Sequence, residues 1–451
     1  MEPVVLAPPA ARRFPVWLRL FEPPAAAEPI TDPGAIRQGY RRWQRQVLLS
    51  SIIGYATFYF VRKNLSVAMP LLEHDLGISK AGLGLFITLH GVLYGLSKFA
   101  NGIFGDRCNA RALMVVGLAA SAVMNVVFGL SSVVVMLGVV WMLNGWFQGM
   151  GFPPCARLMN HWFAPREYAT KMSIWNISHS VGAGVILVLC GVVLAPLGWR
   201  LCFLVPAAIA LACALYLWFT LPDTPPSVGL PEVEGTHTAL PAGESLAEFG
   251  AVLMQAVFRS KYIWLISLTN FFVYILRYAV LDWGPTLLHE AKHLSIGNAS
   301  LMVAAFEAAG VVGSLLAGWL TDRVFGGRAM RMGLFYMVLA GLSVFMFWKV
   351  AGDSRLWNTL WLCAAGFFIY GPQSLIGIAA AKLATKRAAA TAVGLTGLFG
   401  YLSTVLSGWG LGALVQWRGW DAGFIGLLAV AAIGTVLFAV TWGAKADGYE
   451  A

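Results

Sequence analysis

Arg62 sits near the middle of an apolar run from Val47 to Leu72 that is long enough to cross a bilayer. A guanidinium at that depth costs at least ~2.5–3.5 kcal/mol on insertion scales, so such a residue normally faces a water-filled cavity and binds something there. At helical spacing Tyr55, Tyr59 and Arg62 (i, i+4, i+7) share one face, which sets two phenol hydroxyls beside the charge. That face reads as an anion pocket. The plainer reading, a snorkelling or structurally paired cation, fits the neighbouring Lys63 better.

A later run near 262–286 carries Tyr274, Arg277 and Tyr278, with Asp282 one turn further, again on one face at i, i+3, i+4 and i+8. Two guanidinia converging on one ligand suit a compact, multiply charged anion, because each planar fork donates two hydrogen bonds to paired oxygens. Phosphate carries about −1.5 to −2 charges near neutrality and would roughly neutralise the pair. A carboxylate would leave one guanidinium unmatched.

His179, within Trp175-Asn176-Ile177-Ser178-His179-Ser180, and His90 are the histidines that lie well inside apolar stretches. His179 titrates near physiological pH and could follow a mono- or dianionic ligand. A neutral histidine bonded between helices is the competing reading, and for His90 it is the preferred one. Tyr94 and Lys98 in the second span and Glu307 in the eighth are further buried candidates, with Lys98 near enough to its span's end to snorkel.

The elements that position these residues follow from composition. Of 451 residues, 59% are hydrophobic and 12% charged, and the mean hydropathy is +0.72, whereas soluble domains carry about 25% charged residues. The chain reads as a polytopic membrane protein. Its net charge of +10 falls in short clusters between apolar spans and forms no continuous basic face, which argues against a nucleic-acid partner. The six cysteines show no C-x-x-C spacing and no histidine at metal spacing, so neither a disulfide framework nor a metal site is expected. The Pro-rich leader lacks a basic stretch followed by an apolar core, so the first helix is expected to direct insertion.

Breaks at charges and turns give six spans near 47–72, 82–105, 112–131, 133–156, 170–195 and 200–220, then six near 262–286, 299–320, 330–350, 357–381, 388–416 and 421–443. The resulting units are a tail 1–46, a six-helix half 47–220, a linker 221–261 with one surface helix opened by Ser245-x-x-Glu248, a second half 262–443 and a tail 444–451. Basic residues gather on one side of the spans, so both termini and the linker are expected in the cytoplasm.

Tyr59-x-x-Arg62 matches Tyr274-x-x-Arg277, each arginine 15 residues into its span, and Gly105-Asp106-Arg107 matches Thr321-Asp322-Arg323. Two related halves with a site at midplane between them predict an all-α, twelve-helix alternating-access transporter. Asp106, Arg107, Asp322 and Arg323, at the ends of the second and eighth spans, read as ion-pair locks that break when one face opens. The glycines 145, 149, 151, 394, 397 and 400 recur as close helix packing or bending requires. No nucleophile–base pair is visible, so neither an enzyme nor a cofactor is expected.

With these residues in view, the chain resembles the organophosphate:phosphate antiporter family of the major facilitator superfamily from Tyr40 to the twelfth span. The matching stretches include Tyr59-Phe60-Val61-Arg62-Lys63-Asn64, Tyr94-Gly95-Leu96-Ser97-Lys98-Phe99, Phe147-Gln148-Gly149-Met150-Gly151-Phe152-Pro153-Pro154-Cys155, Leu281-Asp282-Trp283, Ile369-Tyr370-Gly371-Pro372-Gln373 and Gly397-Leu398-Phe399-Gly400-Tyr401. The resemblance implies that Arg62 and Arg277 clasp a phosphoryl group and that His179 helps select it. It further implies that Tyr55, Tyr59, Lys63, Tyr94, Lys98, Trp175, Asn176, Tyr274, Asp282, Glu307, Tyr370 and Tyr401 line or support the cavity.

The expected partners are inorganic phosphate, an organic phosphate ester and the lipid bilayer, with the protein acting as a monomer in the inner membrane. The stretch Arg277-Tyr278-Ala279-Val280-Leu281-Asp282-Trp283 is most similar to the glycerol 3-phosphate and phosphoglycerate branches. Hexose-phosphate carriers have an acidic and a basic residue where this chain has Val393 and Thr396. That departure argues against a sugar phosphate, but one branch of the family, which senses hexose phosphate instead of carrying it, is without the pair too; a hexose-phosphate sensor or a hexose-phosphate transporter is the alternative reading, and all of these need the arginine pair.

Overall fold

The computed structural model describes residues 16–105, 108–233, 246–351, 354–384 and 388–444, and among these all regular structure is helical. Ten helical stretches are long and apolar enough to cross a membrane. One of them, Thr391–Val440, makes two crossings by turning back at Gly419, whose φ of 76° only glycine adopts at little cost. The helix Pro33–Leu76, which carries Arg62 and Lys63, completes the twelve spans. It starts well before the apolar run because Asp32 caps it, accepting the Ala35 N–H at 2.6 Å.

The fourth span is interrupted, Val134–Gln148 being followed by Phe152–Trp162. Side chains such as Val135 and Phe219, both 77% exposed, cover the outer surface, as a lipid-facing shell requires. Ala27 and Ile30 donate to the carbonyls of Pro226 (2.9 Å) and Gly229 (2.8 Å), so the leader and the start of the linker meet at one end of the bundle.

At the opposite end the two halves are sealed together, and the seal repeats between them. The fifth span carries a π turn, Leu189–Leu194, that packs on the eighth; the eleventh carries one, Val405–Gly410, that packs on the second. Both contacts rest on glycines. A Cβ on Gly191 would lie 2.2 Å from Ser300 Oγ, and one on Gly84 would lie 2.5 Å from the Gly408 carbonyl oxygen. Thr88 Oγ1 donates to the Thr404 carbonyl at 2.8 Å and accepts the Trp409 N–H at 2.9 Å. Lys80 closes the seal by pairing with Glu73 in its own half (2.6 Å) and Glu290 in the other (3.1 Å). On the eleventh span Gly394 and Gly397 have no neighbouring atom within 4 Å of a built Cβ. Those two glycines therefore serve no close contact here, unlike Gly145 and Gly149, which admit the His90 backbone and the Ser97 hydroxyl at 2.4 Å.

Candidate functional site

Arg62 reaches the centre of the molecule because the first helix is bent immediately before it. Val61 leaves helical geometry (φ −97°, ψ 19°), and its carbonyl accepts N–H bonds from Asn125 and Asn144, both at 2.9 Å. Asn64 ties the same turn down by donating to Asn125 Oδ1 (2.8 Å) and the Cys202 carbonyl (2.9 Å). A backbone group released in a membrane helix must find such partners, and here Asn125 and Asn144 supply them.

The Arg62 guanidinium lies over the ring of Tyr94 at 4.2 Å and near that of Tyr59 at 5.2 Å. Arg277 lies over Tyr370 at 4.5 Å and within 6.0 Å of the Tyr278 ring. Both guanidinia are within electrostatic reach of Tyr59 and of Tyr278, one tyrosine from each half, so the two arginine faces do converge. Their surroundings differ. Glu307 stands 4.0 Å from Arg277 and accepts the Tyr370 hydroxyl proton, while among the described residues no carboxylate pairs with Arg62.

Lys63 forms a buried ion pair with Asp282 of the seventh span, and both line the cavity with Arg62. Of the two readings left open for Lys63, structural pairing is the one the structure shows. Asp282 thereby pairs with Lys63, while Arg277 has Glu307 as its carboxylate partner. Lys98 does not snorkel: its Nζ donates to the Tyr401 hydroxyl at 3.1 Å and lies 4.1 Å from the Phe152 ring centroid.

The remaining aromatics form a continuous wall. Tyr55 packs on Trp175 (4.7 Å between centroids) and Tyr59 (5.8 Å), Tyr94 on Tyr401 (4.8 Å), and Tyr401 on Tyr274 (6.3 Å). His179 is half-buried with its ring 6.0 Å from Tyr59, and Nδ1 bonds the Asn176 carbonyl within its own helix. Asn176 is exposed. Asp322 and Arg323 are also exposed and make no ion pair among the described residues, Arg323 lying 6.0 Å from the Trp319 ring. Asp106 and Arg107 fall outside the described residues.

Two groups were not assigned to the site from the sequence. Gln373 donates to the Tyr274 hydroxyl at 3.3 Å, and the match Tyr370-Gly371-Pro372-Gln373 held the signal for it. His90, assigned a purely structural role, lines the same cavity as Arg62, Lys63, Tyr278, Asp282 and Tyr401.

Residues 51–408 match the Major Facilitator Superfamily. The chain is 38% identical to a probable hexose phosphate transport protein of Chlamydia trachomatis serovar D, covering 95% of this chain and 98% of that one. It is 38% identical to the glycerol-3-phosphate transporter of Bacillus subtilis (94% and 98% covered). It is 36% identical to the membrane sensor protein UhpC of Escherichia coli (93% and 97%). Among solved structures, a bacterial homologue of the human lysosomal transporter Spinster, inward-facing and unoccupied, shares the fold with a TM-score of 0.68 at 17% identity over 88% of this chain and 95% of that one. These proteins move or sense solutes and are not enzymes. With its paired arginines, its twelve spans and these relatives, the chain belongs to the organophosphate:phosphate antiporter family of the Major Facilitator Superfamily.

Proposed function

We propose that the protein is a secondary antiporter that exchanges a small phosphate monoester for inorganic phosphate by alternating access, working as a monomer in the inner membrane. The observation that carries this reading is the charge balance of the site. Among the described residues Arg62, Lys63, Lys98 and Arg277 are accompanied by two carboxylates, Asp282 and Glu307, which leaves a formal excess of +2. A phosphoryl group carrying about −1.5 to −2 cancels that excess, and a monocarboxylate does not.

Contact between the halves at the end away from the termini fits one of the two states such a cycle needs. The segregation of the basic clusters supports a cytoplasmic position for both termini. Met254 in the linker, 50% exposed, then resists maleimide labelling from outside intact cells when replaced by cysteine.

Glycerol 3-phosphate and phosphoglycerate are the favoured esters. Thr396 is buried, with its carbonyl bonded to Asn270 at 2.8 Å, and Val393 is 41% exposed; neither is charged, so these two positions offer no charged pair to a sugar ring. The test is counterflow of labelled phosphate in proteoliposomes against a panel of phosphate esters. Uptake driven by an internal ester establishes exchange. Saturable binding of an ester with no counterflow establishes instead the second reading, a membrane receptor for the same ligand, which the similarity to the sensor protein supports.

A further inference from the structure

His90 lies at the deep end of the cavity, where the second span meets the eleventh, and its ring is held from both sides. Nδ1 is 3.1 Å from the Trp141 carbonyl oxygen and the imidazole stacks on the Trp141 indole, with centroids 5.2 Å apart and planes 27° apart. Its backbone cannot shift, because Gly145 sits directly against it, and the next residue, Gly91, sits directly against Thr404. A carbonyl oxygen only accepts, so Nδ1 carries the ring proton. Arg62 and Lys63 are both within electrostatic reach of the ring and repel a further positive charge there.

The second nitrogen, Nε2, therefore carries a lone pair. Nε2 is fully buried and has no hydrogen-bond partner in the protein, while the residue as a whole is 6% exposed and lines the cavity. Nε2 is thus an unpartnered acceptor in a residue that lines the cavity, and a donor from outside the protein would satisfy it. The charged groups that share the cavity, Arg62 and Lys63, are those that would engage or support a phosphoryl group. Asp282 is already taken by Lys63.

We propose that His90 Nε2 accepts a hydrogen bond from a hydroxyl on the organic body of the ester, and so selects hydroxylated phosphate monoesters. The proposal rests on the antiporter reading above and adds which end of the substrate the second span reads. The phosphoryl group sits with the arginines, and the carbon chain points toward the sealed end, its hydroxyl meeting His90. A site built to pair a substrate hydroxyl discriminates strongly against the analogue that lacks it, because the buried acceptor is then left unmatched.

The experiment measures KM in phosphate-loaded proteoliposomes for sn-glycerol 3-phosphate, for 1,3-propanediol phosphate and for propyl phosphate, in the wild-type protein and in His90→Phe and His90→Gln. The wild type is expected to prefer glycerol 3-phosphate over propyl phosphate by roughly tenfold or more. His90→Phe keeps the ring on Trp141 but has no acceptor, and it is expected to bring that ratio close to one. His90→Gln retains an acceptor and is expected to restore part of it. Equal KM values for the three esters in the wild type overturn the proposal without any variant, and so does an undiminished preference in His90→Phe. Absence of exchange with every ester overturns the antiporter reading itself, and this proposal with it.

Discussion

Lys63 Nζ of the first span donates to Asp282 Oδ1 of the seventh, a contact between residues 219 positions apart whose side chains are only 5% and 10% exposed. The pair fastens one half of the molecule to the other beside the arginines. Breaking a buried pair leaves an uncompensated charge and typically costs about 3–5 kcal/mol, whereas replacing both partners with apolar groups is often nearly neutral. Asp282→Asn is therefore expected to lower the unfolding temperature of the detergent-solubilised protein, and Lys63→Met with Asp282→Leu to recover most of the loss. An Asp282→Asn protein that melts with the wild type would show that the pair contributes nothing.

Arg62→Lys and Arg277→Lys are each expected to abolish phosphate exchange while leaving insertion and folding largely intact. Lysine keeps the charge but loses the planar fork, and each charge-assisted hydrogen bond forfeited is worth ~1.5–3 kcal/mol. Because Glu307 can still hold a lysine at position 277, that variant should fold at least as well as Arg62→Lys. Exchange near the wild-type rate in either variant would place the site elsewhere.

Exchange is expected to be far faster than net efflux. Closing an empty site brings Arg62 and Arg277 together, and like charges ~6–8 Å apart at an effective dielectric near 20 repel by about 2–3 kcal/mol. Glu307 offsets part of this, so Glu307→Gln should slow net efflux by a further five- to thirtyfold, the effect of about 1–2 kcal/mol. Labelled phosphate efflux, with and without external ester, measures both rates. Equal rates in the two conditions would defeat the mechanism.

Gly84→Val is expected to hold the sealed end open. A valine Cβ would lie 2.5 Å from the Gly408 carbonyl oxygen, which is backbone and cannot turn aside. A cysteine at Ser66, a cavity residue only 4% exposed, should then label faster from the side away from the termini. Unchanged labelling, with transport intact, would show that the seal tolerates the added bulk.

The sequence alone determined the twelve helices and the arginines at their centre, because both are local consequences of the bilayer. An apolar run of spanning length has no other stable form in lipid, and a guanidinium within it needs a polar cavity. Helical spacing also placed Tyr55, Tyr59 and Arg62 on one face.

Only the tertiary structure decided which partner each charge takes. Periodicity within a helix names a face but not what that face meets. Asp282, one face with Arg277 by spacing, is claimed by Lys63, and Arg277 is matched by Glu307 from another helix. The bend at Val61 that presents Arg62 depends on Asn125 of the third span and Asn144 of the fourth. His90 read as a structural histidine because one nitrogen is indeed satisfied by Trp141. The other nitrogen is left unpartnered in a residue that lines the cavity, where Gly145 and Gly91 let the second helix approach the fourth and eleventh closely, and those approaches are properties of the packed helices rather than of any one segment.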